Sequence, residues 1–232
     1  MTDQFKLEDV LPWGRHEWEY TAFFALDDTS LDMPVETRIL DCGGGPSSFN
    51  AERNARGGSV VTVDPLFQFD GTAINARVIE TRDAMLAGLR AERHRFILTG
   101  TIEDHEALRL SATRGFLADF DAGKAEDRYV TGALPDLPFD DAVFDLALSS
   151  HFLFLYSEHL DESFHRAALL EMMRVAGEAR IFPLLDLAGL PSVHLTPVRA
   201  ALEAAGFTTS VEKVAYEFQK GGDEMLRVRR AV

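Results

Sequence analysis

Cysteine is nearly absent. Cys42 is the only one in 232 residues, which excludes an intramolecular disulfide and a zinc site built from cysteines. Lysine is scarce, with 4 against 19 arginines, and positive charge as a whole is short: 23 basic against 38 acidic residues leave a net charge of −15. A nucleic-acid backbone is repelled at long range by such a chain, so nucleic acid is a disfavoured substrate. No apolar run reaches the roughly 18 residues that a bilayer span needs. The start, Met1-Thr2-Asp3-Gln4-Phe5-Lys6, lacks the basic and apolar regions of a secretory leader, so the expected compartment is the cytoplasm and no membrane partner is expected. There is no internal repeat, and no His/Asp/Glu set has metal-ligand spacing, so no metal is expected.

What is present is an alternation of short β-branched runs and amphipathic stretches. A helix is expected at about 16–26, after Pro12-Trp13-Gly14-Arg15, followed by the acidic loop Asp27-Asp28-Thr29-Ser30. Residues 38–42, 59–63, 129–131, 143–148 and 179–182 read as buried strands. A helix with Pro46 near its first turn is expected after the first strand, closed by Gly57-Gly58. Asp161 caps a helix over 161–176 whose face is Phe164, Ala168, Met172 and Val175, and a further helix runs from Leu195 to Ala205. The stretches 209–218 and 224–230 read as an antiparallel hairpin. The fold class is therefore α/β: a Rossmann-like, mostly parallel sheet with an antiparallel last strand and helices on both faces.

The 63 residues from Leu66 to Arg128 exceed what a crossover requires. The surplus reads as a helical insertion over 67–127, with one helix at about 72–95 facing inward through Ile74, Val78, Met85 and Leu89. A second, at about 102–120, faces inward through Leu108, Ala112, Phe116 and Phe120. The chain is thus expected to be one domain over 1–232, with a helical segment at 1–36 and this insertion. Five arginines and three acids across 72–95 make a local excess of positive charge, which serves either as a solvated face or to attract an anionic acceptor.

The loop Asp41-Cys42-Gly43-Gly44-Gly45-Pro46-Ser47 joins a strand to a helix, where glycines let backbone approach a ligand and a helix N-terminus offers free N–H groups. Asp64 ends the next strand, where a carboxylate can accept hydrogen bonds from both hydroxyls of a ribose. Three ligand classes compete. A P-loop requires Gly-Lys-Ser/Thr, which is absent, and a dinucleotide fingerprint requires a third glycine where Ser48 stands. The third class is S-adenosylmethionine.

Ile39-Leu40-Asp41-Cys42-Gly43-Gly44-Gly45 resembles the first motif of the class I S-adenosylmethionine-dependent methyltransferases, and Asp64 matches their ribose-binding acid. Gly132 to Phe139, ending Leu137-Pro138-Phe139, with Asp140 to Asp145, is similar to a further motif of that superfamily. The match covers roughly 37–66 and 128–232. Leu11 to Arg15, Ser150 to Tyr156 and Tyr216 to Gly222 are similar to a bacterial subgroup of it. The resemblance implies a seven-stranded sheet and S-adenosylmethionine as cofactor. Asp41 would orient the loop or the cofactor's amino group. Gly43 and Gly45 would line its methionine part, with Gly44, Pro46 and Ser47 also at the cofactor, Asp64 would hold the ribose, and Pro65 and Leu66 would flank the adenine. Ala133 stands where the family often has Asp, leaving the backbone of Ala133 and Leu134 for the base edge.

Ser149 and Ser150 are expected to approach the cofactor or to cap the strand end. His151 is either a general base or an imidazole bonded to backbone, whereas His159 and His165 read as surface or helix-face residues. Phe152, Phe154 and Tyr156 alternate, as core packing or as pocket lining. Trp13, Arg15 and Tyr20 either close over the cofactor, with Arg15 pairing its carboxylate, or belong to a helix packed on the sheet. No Asn/Asp-Pro-Pro-Tyr follows the fourth strand; Ser149-Ser150-His151 stands there instead. The expected activity is methyl transfer by in-line displacement to a small-molecule acceptor, with a non-catalytic S-adenosylmethionine or adenosine-ligand sensor as the alternative. A nicotinamide-dependent oxidoreductase is disfavoured by Ser48 and the hairpin.

Overall fold

The computed structural model describes residues 12–27 and 36–231. The start Met1–Lys6, Leu11 and the stretch Asp28-Thr29-Ser30 of the expected acidic loop lie outside the described residues. Seven strands form one sheet: β1 (Arg38–Cys42), β2 (Ser59–Val63), β3 (Tyr129–Val130), β4 (Phe144–Ser150), β5 (Ala176–Phe182), β6 (Phe207–Lys213) and β7 (Glu224–Arg230). Their order is β3-β2-β1-β4-β5-β7-β6. β7 pairs antiparallel with both β5 and β6, and the remaining pairs are parallel. This is the seven-stranded order that the resemblance implies.

The period of two along β1 divides its side chains between the two layers. Leu40 and Cys42 enter one apolar cluster with Ala168, Met172, Val198 and Leu226. That layer is supplied by α5 (Glu162–Val175), capped at Asp161 as expected, and α6 (Leu195–Ala204). Ile39 enters the other cluster, with Tyr20, Phe23, Phe24 and Phe49 from α1 (Glu17–Phe24) and α2 (Phe49–Ala55). Asp41 shares the face of Ile39 and so points at α1. His165, expected at the surface or on a helix face, is fully buried, with its ring 5.1 Å from that of Phe154.

α2 begins at Phe49, so Pro46 lies in the turn before it rather than in its first turn. The reason is tertiary. Ser48 donates its amide to the carbonyl of Arg15 at 3.0 Å and its hydroxyl to Glu52 at 2.7 Å. A Cβ on Gly14 would stand 2.3 Å from the Pro46 carbonyl oxygen. Residues 46–48 therefore clasp the segment 14–16 instead of winding the helix.

The insertion is two helices, α3 (Gly71–Ala91) and α4 (Ile102–Ala125). Asp70 caps α3 by accepting from the Ala73 amide at 2.8 Å, and Thr101 with Asp104 forms a capping box at the start of α4. The inward face of α3 is Ile74, Val78, Thr81, Leu86 and Leu89; Met85 is not in it. In α4 the buried face is Arg109, Ala112, Thr113, Phe116 and Phe120, with Leu108 only half-buried.

α3 also crosses the sheet. It starts just beyond the carboxyl end of β2. The turn that follows it is fixed to the β6–β7 loop, where Ile97 donates to the Phe218 carbonyl at 2.7 Å and Lys220 to the Arg95 carbonyl at 2.9 Å. Between β2 and β7 lie four inter-strand steps, about 19 Å at the usual strand spacing. The 21 residues of α3 extend about 31 Å, enough to bridge the carboxyl ends of β1, β4 and β5.

Candidate active site

A cavity of about 1220 Å³ lies under α3 at the carboxyl ends of the strands, the position at which open α/β sheets bind ligands. Gly43, Gly44, Gly45, Pro46 and Ser47 line it, as do Asp64, Pro65, Leu66, Ala133, Leu134, Ser150 and His151. Trp13, Arg15 and Tyr20 face it from the N-terminal side. Of the residues expected to touch a cofactor, Asp41 and Ser149 are fully buried and outside the cavity lining. The alternation of β4 accounts for Ser149, which faces the α5 layer while Ser150 reaches the cavity.

The glycine loop is built around two carboxylates. Asp64 accepts from the Gly45 amide at 2.9 Å and from the Leu66 amide at 2.7 Å, which ties the loop to the end of β2. Burial raises its carboxyl to about 6, against the two backbone hydrogen bonds. Asp41 lies beneath the loop. The Tyr20 hydroxyl donates to it at 3.1 Å, and burial, with Asp64 nearby, raises it to about 7. A Cβ on Gly44 would be 2.0 Å from Asp41 Oδ2 and 2.6 Å from Thr62 Cγ2, so only glycine fits there. Gly43 and Gly45 have φ of 72° and 55°. Nothing lies within 4 Å of a Cβ built on Gly45, which leaves its backbone open to the cavity.

On the N-terminal side, Arg15 donates its amide to Ser47 Oγ at 3.1 Å, and its Nη1 lies 3.5 Å from Glu19 Oε1. Nη1 has no hydrogen-bond partner among the described residues. Glu19, fully buried, also pairs with Arg109 and accepts from the Tyr216 hydroxyl at 3.0 Å. Burial acts to raise the Glu19 carboxyl, but the two arginines outweigh it and hold it below the usual range. Two guanidinium groups around one carboxylate leave a positive excess beside the cavity. It depresses His105, which is stacked 4.8 Å from Phe218: burial first, then Arg109 and Arg15, bring His105 to about 3.

His151 follows β4 with φ of 52°, in the left-handed region. Its amide donates to the Phe182 carbonyl at 2.6 Å, and its ring packs edge-on against the stacked pair of Phe23, at 5.4 Å, and Phe182, at 5.3 Å. Nδ1 lies 2.8 Å from Ser150 Oγ. Burial, then Arg15 and Arg109, lower its pKa well below the usual histidine range, so the imidazole is neutral at physiological pH. Phe152 and Tyr156 line the cavity, whereas Phe154 is core; His159 lines it as well.

The expected residues gather at one place because they occupy the carboxyl ends of adjacent strands. Sequence reasoning missed the Glu19–Arg109 pair and the roof residues Ala84, Gly88 and Phe96. For Arg109 the signal was present, since 109, 112, 116 and 120 keep helical spacing and set an arginine in an apolar stripe. Among the described residues no group of His, Cys, Asp and Glu is placed to hold a metal, and no helix is long and apolar enough to cross a membrane.

The chain is 30% identical over 227 residues to the uncharacterized protein MJ0045 of Methanocaldococcus jannaschii, covering 97% of this chain and 98% of that one. No family model matches it. Among solved structures, the PH0226 protein of Pyrococcus horikoshii OT3 superposes with a TM-score of 0.48 and 14% identity, over 93% of this chain and 90% of that one. Magnesium protoporphyrin IX methyltransferase of Synechocystis PCC 6803, with bound S-adenosylhomocysteine, superposes with a TM-score of 0.43 and 11% identity, over 84% and 74%. With its near full-length likeness to the Methanocaldococcus jannaschii protein and the strand order β3-β2-β1-β4-β5-β7-β6, the chain belongs to the MJ0045 family and has the class I S-adenosylmethionine-dependent methyltransferase fold.

Proposed function

We propose that this protein binds S-adenosylmethionine and transfers its methyl group to a small-molecule acceptor held in the same cavity. The observation that carries the reading is the joining of Asp64 to Gly45 at 2.9 Å, which presents a carboxylate and an open glycine backbone together on the cavity floor. The donor set fits the cofactor. Asp64 accepts from ribose hydroxyls. Pro65, Leu66 and Leu134 offer apolar faces to adenine. Arg15, with Nη1 lacking a hydrogen-bond partner among the described residues, supplies positive charge for a carboxylate.

When bound, S-adenosylmethionine supplies a methyl group already activated on a sulfonium, so the protein's task is to align the nucleophile and exclude water. α3 and the loops fixed to it partly cover the cavity, whose walls are mostly apolar. His151 is the acceptor-side base. With Nδ1–H donated to Ser150 Oγ, Nε2 carries the lone pair that takes the acceptor's proton. Its depressed pKa makes it a weak base that is never blocked by prior protonation near neutral pH.

Calorimetric titration with S-adenosylmethionine, S-adenosylhomocysteine and NAD tests the reading. Both sulfur ligands are expected to bind, and tighter binding of NAD would sink it. His151→Ala is expected to slow methyl transfer by roughly 10²–10⁴-fold with S-adenosylhomocysteine affinity unchanged. Equal turnover by that variant would remove His151 from the chemistry.

A further inference from the structure

The backbone around Arg15 is pinned on two sides. Its amide is tied to Ser47 of the glycine loop at 3.1 Å, and the Gly14 carbonyl before it accepts from Arg109 Nη1 of α4 at 3.0 Å. The guanidinium that leaves this point lines the cavity, with its Cζ 6.0 Å from the centre of the Phe218 ring. Its one counter-charge is Glu19, and that carboxylate is already engaged. Arg109 Nη2 donates to Glu19 Oε1 at 2.5 Å and the Tyr216 hydroxyl to the same oxygen at 3.0 Å, while Oε2 accepts from the His16 amide at 2.9 Å. Arg15 Nη1 is left 3.5 Å from Oε1, too far for a good hydrogen bond. The other acids of this segment are occupied elsewhere: Glu17 pairs with Arg53 and Arg56, and Glu52 lies against His16. Among the described residues no further carboxylate pairs with Arg15 or Arg109.

Two buried guanidinium groups thus share one buried carboxylate. Glu19 is 0% exposed, Arg109 1% and Arg15 9%. A buried charge without its counter-charge is costly, so the cluster is complete only with a second anion. Arg15 lines the cavity, whereas Arg109 and Glu19 do not, so the anion has to come from a ligand. Arg109 has its effect through Glu19. By occupying that carboxylate it keeps Arg15 from closing on it. Without Arg109, Arg15 and Glu19 would form a neutral pair and the attraction for a ligand carboxylate would be lost.

We infer that Arg109 and Glu19 are positioning residues: they hold Arg15 unpaired for the carboxylate of the cofactor, whose arrival closes a buried cluster of two arginines and two carboxylates. The protein thereby selects adenosine ligands that carry a carboxylate. The inference rests on the proposed cofactor reading and adds to it this rule of selection. It also gives the insertion a part in cofactor binding, since Arg109 belongs to α4.

The test uses the full chain, S-adenosylhomocysteine and its decarboxylated analogue, which keeps the adenosine, the thioether and the amine. Calorimetric titration gives the ratio of the two affinities. General damage to the cavity weakens both ligands alike and leaves that ratio unchanged. Wild-type protein is expected to prefer S-adenosylhomocysteine about tenfold or more. In Arg109→Met the preference should fall several-fold, toward equal affinities. In the double variant Arg109→Met/Glu19→Gln, Arg15 has no carboxylate to close on, and the preference should return to the wild-type value. A merely structural role for Arg109 predicts no return, because the second substitution only adds damage. Glu19→Gln alone keeps both arginines and should raise the preference above wild type, which serves the test even if Arg109→Met fails to fold. Equal affinities in wild type overturn the inference, as does an undiminished preference in Arg109→Met, no return in the double variant, or no rise in Glu19→Gln. If wild-type protein binds neither ligand, the cofactor reading itself falls.

Discussion

The Tyr20 hydroxyl lies 3.1 Å from Oδ2 and 3.2 Å from Oδ1 of Asp41, so a tyrosine of the N-terminal helix caps the carboxylate beneath the glycine loop. Both residues are buried, and Tyr20 stacks on Phe49 with ring centroids 4.1 Å apart. Helix α1 is thus part of the construction of the loop.

Removing that hydroxyl tests the relationship. Tyr20→Phe keeps the stack but leaves Asp41 short of a donor, which should cost about 1–3 kcal/mol of stability. Urea denaturation measures it. S-adenosylhomocysteine affinity should weaken along with stability if the loop depends on Asp41; a change in neither would make the hydrogen bond incidental.

Gly44 and Gly45 should respond differently to alanine. At Gly44 the new methyl meets Asp41 Oδ2 at 2.0 Å and Thr62 Cγ2 at 2.6 Å, both buried groups. Gly44→Ala should therefore destabilise the chain by about 1–3 kcal/mol or more through overpacking. Gly45→Ala meets no atom within 4 Å, and only its φ of 55° opposes it. Its cost should be smaller, about 1 kcal/mol, with ligand affinity as the property lost. Thermal melts of the two variants compared with S-adenosylhomocysteine titrations separate these outcomes.

The two carboxyls contribute a pH dependence of stability of their own. Asp64 is raised to about 6 and Asp41 to about 7, above the usual aspartate value of about 3.9 in an unfolded chain. Between these values the two carboxyls hold more protons in the folded than in the unfolded state, so their contribution to stability falls as pH rises. From pH 5 to pH 8 these two carboxyls take away on the order of 3 kcal/mol, while His105 at about 3 and His151, held neutral by burial, act in the opposite sense below about pH 6.5. The carboxyl contribution is therefore read as the difference in urea midpoint between wild type and a carboxyl variant. Asp64→Asn should lessen that slope around pH 6. An identical slope in the variant would mean that Asp64 is as well solvated in the folded chain as in the unfolded one.

How far the sequence reveals these features depends on the kind of contact. Asp64 and Gly43 to Gly45 were legible because a glycine loop and an acid at successive strand ends must meet when those strands pair in parallel. The cap at Asp161 was legible because it is local. That Pro46 stands just before α2 and not within it was not legible, since its place is set by Gly14 and Arg15, some thirty residues earlier. A periodic pattern places a helix face only to within about one residue, so Met85, read as facing inward, lines the cavity while its neighbour Leu86 is the buried residue.

The bond between Tyr216 and Glu19 joins positions 197 residues apart, and Arg180 reaches the Phe24 carbonyl across 156. Helix α1 therefore cannot finish docking until the β6–β7 loop has formed. Loops this long close late, because chain entropy is spent before any contact repays it. During synthesis Phe23 and Phe24 emerge early and must wait, apolar and uncovered, for their partners. The same contacts that complete the cavity wall make this segment the natural place for off-pathway association in a nascent or truncated chain.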